Sequence, residues 1–347
     1  MKGLYKTAPG VGNLELRDAP RPIPGPREVL IAVQAAGICG SDLHIYNWDT
    51  KVKMAPPVII GHEFCGTIVE LGTEVEGETD TLNIGDRVTA EPTFKVCGSC
   101  RYCQSGFYNL CAERQVLGFA ADGAFAEFVR VPAKRVHALP DNVEDLAGAM
   151  IEPFACCVHG LYELTGVVAN DFAVVSGPGA IGLLAAQLLR EAGARVLVIG
   201  TAADEQRLAL ARTLGADLTL NVEQTDVLQE VLELSGGAGA DLIAECSGAP
   251  AAAELGIDLV RKRGKYLQLG LFGKPITLDF EKIAYKELQI FGSFAQKWSA
   301  WKTALSLLGQ GKIQLVPLIS DVLPLSDWQL GFEKLNKKTG LKIVLTP

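Results

Sequence analysis

The 347-residue chain is 48% hydrophobic and 21% charged, with a formal charge of −8, 37 glycines and 17 prolines. At ~150 residues per domain this length predicts two domains, and the apolar content excludes intrinsic disorder, which needs few apolar residues and high charge. The acidic balance, with a pI near 5.2, repels a phosphate backbone and argues against nucleic acid as a partner. The cysteine count is nine, and the N-terminal Met1-Lys2-Gly3-Leu4-Tyr5 carries no apolar signal core. Both features predict reduced thiols and a cytoplasmic location, with some thiols binding metal. No membrane span is expected. The most apolar stretch, residues 172–189, is interrupted by Gly177, Pro178, Gly179, Gly182 and Gln187, and reads as strand–turn–helix.

Taken in chain order, the region up to Glu152-Pro153 is β-rich and heavily punctuated. Residues 28–36 form a β-branched, apolar run ending at Gly37, and residues 64–71 form another closed by Gly72. Gly85-Asp86-Arg87-Val88 is a turn into a strand, and residues 124–131 are strand-like up to Pro132. Short strands at this spacing predict a small irregular barrel.

The pattern then changes to α/β. Residues 172–175 read as a short buried strand, followed by Ile181, Leu184, Ala185 and Leu188 at the i, i+3, i+4, i+7 spacing of an amphipathic helix. A second strand (195–199) and helix (204–214, stopped by Gly215) follow, then strand candidates at 217–222, 241–246, 265–269 and 288–291. Strand–helix alternation of this length predicts a doubly wound parallel sheet with helices on both faces. Beyond Phe294 the alternation ends. The tail has a helix at 298–308, whose Trp298 and Trp301 read as packing residues, a polar helix near 327–336 and a last strand at 341–345. The Lys334–Lys338 cluster reads as a solvated helix end closed by Gly340.

Three motifs carry chemistry. The first is Cys97-x2-Cys100-x2-Cys103-x7-Cys111. Four thiolates at this spacing close a tetrahedral shell around zinc, and Gly98 and Gly106 let the loop wrap the ion. An iron–sulfur cluster with the same start has its fourth cysteine three residues later, before a proline; here the gap is seven and Ala112 follows. With no open position, this lobe (91–112) is expected to hold structure. The second motif is dispersed: Cys39 and His62 are a soft and a borderline metal ligand, and Glu63 or Glu152 could complete the set while leaving room for water or substrate. The third is Gly177-Pro178-Gly179-Ala180-Ile181-Gly182 between strand and helix, where glycines permit a tight turn and a pyrophosphate sits on the helix N-terminus. The second strand ends Ile199-Gly200-Thr201, without the usual ribose-binding acid. Arg207 would suit a 2′-phosphate, whereas Asp204 and Glu205 oppose a simple basic pocket, so NAD and NADP both stay open.

These motifs, in this order and over essentially the whole chain, resemble the zinc-dependent medium-chain alcohol dehydrogenase family. The resemblance implies a GroES-like β-rich catalytic domain (1–153), a Rossmann dinucleotide-binding domain (154–294) and a C-terminal segment (295–347) returning to the catalytic domain. It implies two zinc ions per chain: a catalytic one held by Cys39, His62 and Glu63, with Glu152 able to exchange with water, and a structural one held by Cys97, Cys100, Cys103 and Cys111. It further implies Ser41 and His44 as a proton relay, Gly177, Gly179, Ala180, Ile181, Gly182, Gly200, Thr201 and Arg207 as the NAD or NADP site, and a homo-oligomer, dimer or tetramer.

Within the family, Glu91-Pro92 and Ile151-Glu152-Pro153 are similar to sorbitol (L-iditol)-type polyol dehydrogenases, and the stretch from Cys39 to Asp49 is similar to threonine 3-dehydrogenases. Animal-type sorbitol dehydrogenases carry Arg-Tyr where this chain has Ala295-Gln296. The expected activity is oxidation of a secondary alcohol, foremost a polyol or sugar alcohol, to the ketone. L-Threonine 3-dehydrogenase or 2,3-butanediol dehydrogenase activity is the alternative. The Tyr46–Asp49 and Gln296 regions are candidates for reading neighbouring hydroxyls. Two further classes stand beside it: a zinc-free quinone or enoyl reductase, which has no need of Cys39, His62 and Glu63, and a non-catalytic nucleotide-binding or redox-sensing protein using the four-cysteine lobe.

Overall fold

The computed structural model describes residues 1–76 and 81–347. The chain divides into two units: Met1–Ala155 with Gln296–Gly311 and Leu315–Pro347, and Cys156–Ala295 with Lys312–Gln314. No helix of the described residues is long and apolar enough to cross a membrane.

The first unit is organised around the strand Glu28–Gly37. Its residues are buried almost throughout, which is why its run is apolar on both faces. It lies in a seven-stranded sheet between Glu63–Leu71 and the C-terminal strand Lys342–Thr346, and also pairs with Phe128–Pro132. Val344 lies opposite Gly37 and Leu345 opposite Ala36. The C-terminal strand is therefore built into the sheet that Glu28–Gly37 begins, and Ile343 and Leu345 join Val29, Ile31, Phe64, Ile68 and Val129 in one core.

Two segments depart from the sequence expectation. The strand predicted at 124–131 begins only at Phe128. Before it, the backbone changes partners residue by residue: Ala124 N donates to Gly61 O, Phe125 N to Ile60 O, and Phe125 O accepts from Leu4 N. Glu152-Pro153, read as a boundary, lies in the first turn of the helix Ile151–Val158, where proline costs no internal hydrogen bond. That helix continues as a π-helical stretch, His159–Thr165.

The second unit is a six-stranded, all-parallel sheet in the order Leu218–Asn221, Arg195–Gly200, Phe172–Ser176, Ala240–Glu245, Val260–Gln268, Gln289–Gly292. This is the doubly wound Rossmann order, with the strand sequence reversing between Phe172–Ser176 and Ala240–Glu245. The helices Ala180–Glu191, Glu205–Thr213, Val227–Leu234 and Pro250–Leu259 lie between successive strands in the chain. The fifth strand starts five residues before the expected 265, with a register shift opposite Ala240–Leu242. Its first half, Val260-Arg261-Lys262-Arg263-Gly264, is too charged and glycine-broken to read as strand from sequence.

Candidate functional site

Strand pairing assembles a metal-ligating cluster in the first unit. Gly37 pairs with Glu63, so Cys39, two residues beyond Gly37, comes beside His62, one residue before Glu63. Their ligand atoms all lie within 4.8 Å of one another. Both flanking glycines are required. A Cβ on Gly37 would stand 2.5 Å from Glu63 Oε2, and Gly61, at φ +92°, has the Phe125 ring 2.5 Å from where a Cβ would be. After Gly37 the chain turns into the helix Gly40–Asn47 with Cys39 as its N-cap, and Asp42 Oδ2 accepts from Cys39 N at 2.9 Å.

The cluster is buried and acidic. His62, Glu63, Asp42 and Glu152 are all under one-tenth exposed. Ser41 Oγ lies 3.2 Å from His62 Nε2, and Asp42 Oδ1 lies 3.6 Å from His62 Nδ1. Burial opposes a charge on His62, but Asp42, Cys39 and Glu152 outweigh it and push the imidazole up to about 10. Burial itself raises the Asp42 and Glu152 carboxyls. Against this excess of acids stands one fixed cation, Lys342, which forms an ion pair with Glu63 and donates to Ile38 O at 3.0 Å. Burial opposes the Lys342 charge too, and Glu63 and Cys39 raise it in spite of that. One thiolate, one imidazole and one carboxylate within a shared 4.8 Å, in surroundings that favour positive charge, fit a zinc ion.

Glu152 lies outside that triad. Its Oε1 accepts from Gln296 Nε2 at 2.7 Å. Gln296 is 1% exposed, and while its Nε2 donates to Glu152 its buried Oε1 has no hydrogen-bond partner among the described residues. His44 is half-buried, its Nδ1 2.9 Å from Asp49 Oδ1.

The four-cysteine lobe fits a second ion. Its sulfurs lie within 4.8 Å of one another, Cys97 being 3.8 Å from Cys103 and 3.6 Å from Cys111. Tetrahedral zinc with bonds near 2.3 Å requires sulfurs ~3.8 Å apart. All nine cysteines are free of disulfides. Backbone amides of Cys100, Cys103 and Cys97 point at the sulfurs of Cys97, Cys100 and Cys111, and those of Cys100 and Ser99 pull the Cys97 thiol down to about 6. The lobe is tied to its own unit by Tyr108, whose hydroxyl donates to buried Glu91 at 2.6 Å and accepts from Trp298 N. Arg135 lies 3.8 Å over the Tyr108 ring, and His137 stacks on Trp301 and lies tilted against Trp298.

In the second unit, the glycine-rich turn has the geometry its spacing implies. Gly177 has φ +94° and its missing Cβ would strike Ser247; a Cβ on Gly182 would stand 1.9 Å from Gly177 O. Gly179 is the N-cap of Ala180–Glu191, with open space around it and no side-chain cap. The amides of Ala180, Ile181 and Gly182 therefore form an uncapped helix N-terminus suited to a pyrophosphate. Thr201 caps the short turn Ala202–Asp204, and Arg207 faces Asp204 at 3.4 Å.

Among the residues at these sites, Lys342 and Arg135 lie outside every motif the sequence reading singled out, and Asp42 and Glu91 lie inside such motifs without a role assigned to them. Lys342 could have been noticed as a lone charge opening an apolar strand; the others belong to no spacing pattern.

The chain matches two family models, the alcohol dehydrogenase GroES-like domain over residues 25–141 and the zinc-binding dehydrogenase domain over residues 180–310. It is 44% identical over 348 aligned residues to a sorbitol dehydrogenase of Halalkalibacterium halodurans, covering 100% of this chain and 99% of the relative. It is 38% identical to a D-arabitol-phosphate dehydrogenase of Enterococcus avium, covering 99% and 97%. Among solved structures, a zinc-binding dehydrogenase of Sinorhizobium meliloti 1021 bound to NADP superposes with a TM-score of 0.91 at 32% identity, covering 100% and 99%. The chain belongs to the zinc-binding dehydrogenase family, with a GroES-like catalytic fold and a Rossmann fold in one polypeptide.

Proposed function

We propose that this protein oxidises a secondary alcohol, a polyol or sugar alcohol, to the ketone with NAD(P)+, using one catalytic and one structural zinc. The observation that carries this reading is the Cys39–His62–Glu63 cluster with the Ser41 hydroxyl 3.2 Å from His62, in a chain whose other unit bears an uncapped glycine-rich turn. The catalytic domain is residues 1–153 with 295–347, and the dinucleotide-binding domain is 154–294.

Bound at the first cluster, zinc supplies Lewis acidity that lowers the pKa of an alcohol, and a nicotinamide supplies the hydride acceptor. Cys39, His62 and Glu63 would hold the metal. Asp42 orients His62 from behind, as a carboxylate does for a metal-bound imidazole. Ser41 Oγ would accept the alcohol proton and release its own, which His44, paired with Asp49, would take up and pass to water. Glu152, held by Gln296 and within electrostatic reach of His62 and Glu63, would serve as a replaceable ligand.

Metal analysis together with a substrate screen tests this reading. Two zinc ions per chain are expected, with turnover of polyols by NAD+ or NADP+; threonine and 2,3-butanediol are included as competing substrates. Cys39→Ser is expected to abolish turnover and leave dinucleotide binding measurable. Near-normal activity in that variant, or a single zinc per chain, would overturn it.

The same proposal places the protein in the cytoplasm, supported by the four-cysteine metal-ligand cluster, which needs reduced thiols, and makes it a homo-oligomer, dimer or tetramer. The outer strand Gln289–Gly292 leaves a sheet edge open, with Ile290, Phe280 and Tyr285 exposed. Light scattering on the eluted protein measures this, and a monomer at micromolar concentration would contradict it.

A further inference from the structure

In the second unit, the end of the strand Arg195–Gly200 abuts the glycine-rich turn. Gly177 N donates to Ile199 O at 2.9 Å, and a Cβ on Gly200 would stand 3.0 Å from Pro178 Cδ. A pyrophosphate on that turn thus places the adenosine ribose over the residues that follow Gly200. None of Thr201, Ala202 and Ala203 offers a carboxylate. Asp204 is engaged: its Oδ2 accepts from Thr201 N at 3.1 Å and Thr201 Oγ at 2.8 Å, and its Oδ1 faces Arg207.

A carboxylate reaches this place from the neighbouring edge strand instead. Beyond Leu218–Asn221 the chain turns, with Val222 N donating to Gly200 O at 2.9 Å and Glu223 N donating to Asn221 Oδ1 at 2.9 Å. These bonds aim Glu223 back across the sheet end, where its Oε2 accepts from Ala202 N at 2.9 Å. The carboxylate is fixed two residues past Gly200 on an exposed residue. It adds to Asp204 and Glu205, against which Arg207 is the nearest-placed cation in the sequence and is already turned to Asp204.

We propose that Glu223 stands in for the missing strand-end acid: its carboxylate accepts the 2′-hydroxyl of the adenosine ribose and repels a 2′-phosphate, so the enzyme selects NAD(H) over NADP(H). This rests on the reading of the second unit as a dinucleotide site. An added 2′-phosphate would meet the Glu223 and Asp204 carboxylates, with the Arg207 guanidinium already turned to Asp204.

Calorimetric titration of the zinc-loaded enzyme with NAD+ and with NADP+, without alcohol, tests it. The wild type is expected to bind NAD+ at least about tenfold more tightly than NADP+, the scale of one charge-assisted hydrogen bond. Glu223→Gln keeps an acceptor for Ala202 N and removes the charge; it is expected to lose most of that ratio, chiefly by tighter NADP+ binding. Glu223→Ala is expected to lose the ratio by weaker NAD+ binding. Preference of the wild type for NADP+, or an unchanged ratio in both variants, overturns the assignment of Glu223. Binding of neither dinucleotide by the wild type overturns the dinucleotide reading itself, and the assignment with it.

Discussion

Replacing Lys342 with methionine tests whether the buried acids of the first unit are organised around a metal. The Lys342 side chain is 5% exposed and its partner Glu63 1%, so neither charge has water to fall back on. Methionine keeps most of the volume and removes the ammonium. Breaking a buried pair from one side typically costs about 3–5 kcal/mol, because the other charge is stranded. A zinc ion at Cys39, His62 and Glu63 supplies a second compensating charge to the same carboxylate. With zinc bound, the loss shrinks toward the ~1 kcal/mol of the missing hydrogen bond to Ile38 O. At roughly 2–4 °C per kcal/mol for a unit of about 200 residues, the metal-free variant is expected to melt ~10 °C below metal-free wild type. The zinc-loaded pair should differ by only ~3 °C. The assay is thermal melting of both proteins, chelator-treated and zinc-loaded. Equal drops in the two states would show that Lys342 acts through packing alone and that Glu63 does not face the metal.

Three other outcomes follow from contacts already described. Gly182→Ala drives a methyl into Gly177 O; dinucleotide affinity should fall at least about tenfold while zinc content, read by mass spectrometry, stays at the wild-type value. Cys111→Ser should leave one zinc per chain and lower the melting temperature by about 5 °C or more, and retention of two ions would contradict the four-sulfur site. Gln296→Leu removes the amide that Glu152 accepts from. Turnover is expected to drop with the dinucleotide dissociation constant unchanged, and the absorption bands of a cobalt-substituted enzyme should shift. Unshifted bands would separate Glu152 from the metal.

Much of this was legible in the chain before folding because it is local. The Cys97–Cys111 spacing needs only a short loop to bring four sulfurs together, and the glycines at 177, 179 and 182 answer to the sterics of a single turn. Periodicity located most of the Rossmann strands for the same reason: a strand buried on both faces must be apolar over its whole length. The charged half of Val260–Gln268 escaped because pairing with Ala240–Glu245, and not its own composition, makes it a strand.

Cys39 and His62, far apart in sequence, were candidates by residue type, and the chain alone determined which side chains could bind metal and where a pyrophosphate could sit. Tertiary structure decided how those groups are charged and held. The pairing of Gly37 with Glu63 sets the cluster, and the return of Lys342–Thr346 to the same sheet delivers the ammonium that balances it. Gln296 reaches Glu152 across 144 residues, and Glu223 reaches Ala202 across the edge of a sheet. Such contacts leave no spacing to read, because the distance that matters to a charge is the one through space, and strand order sets it.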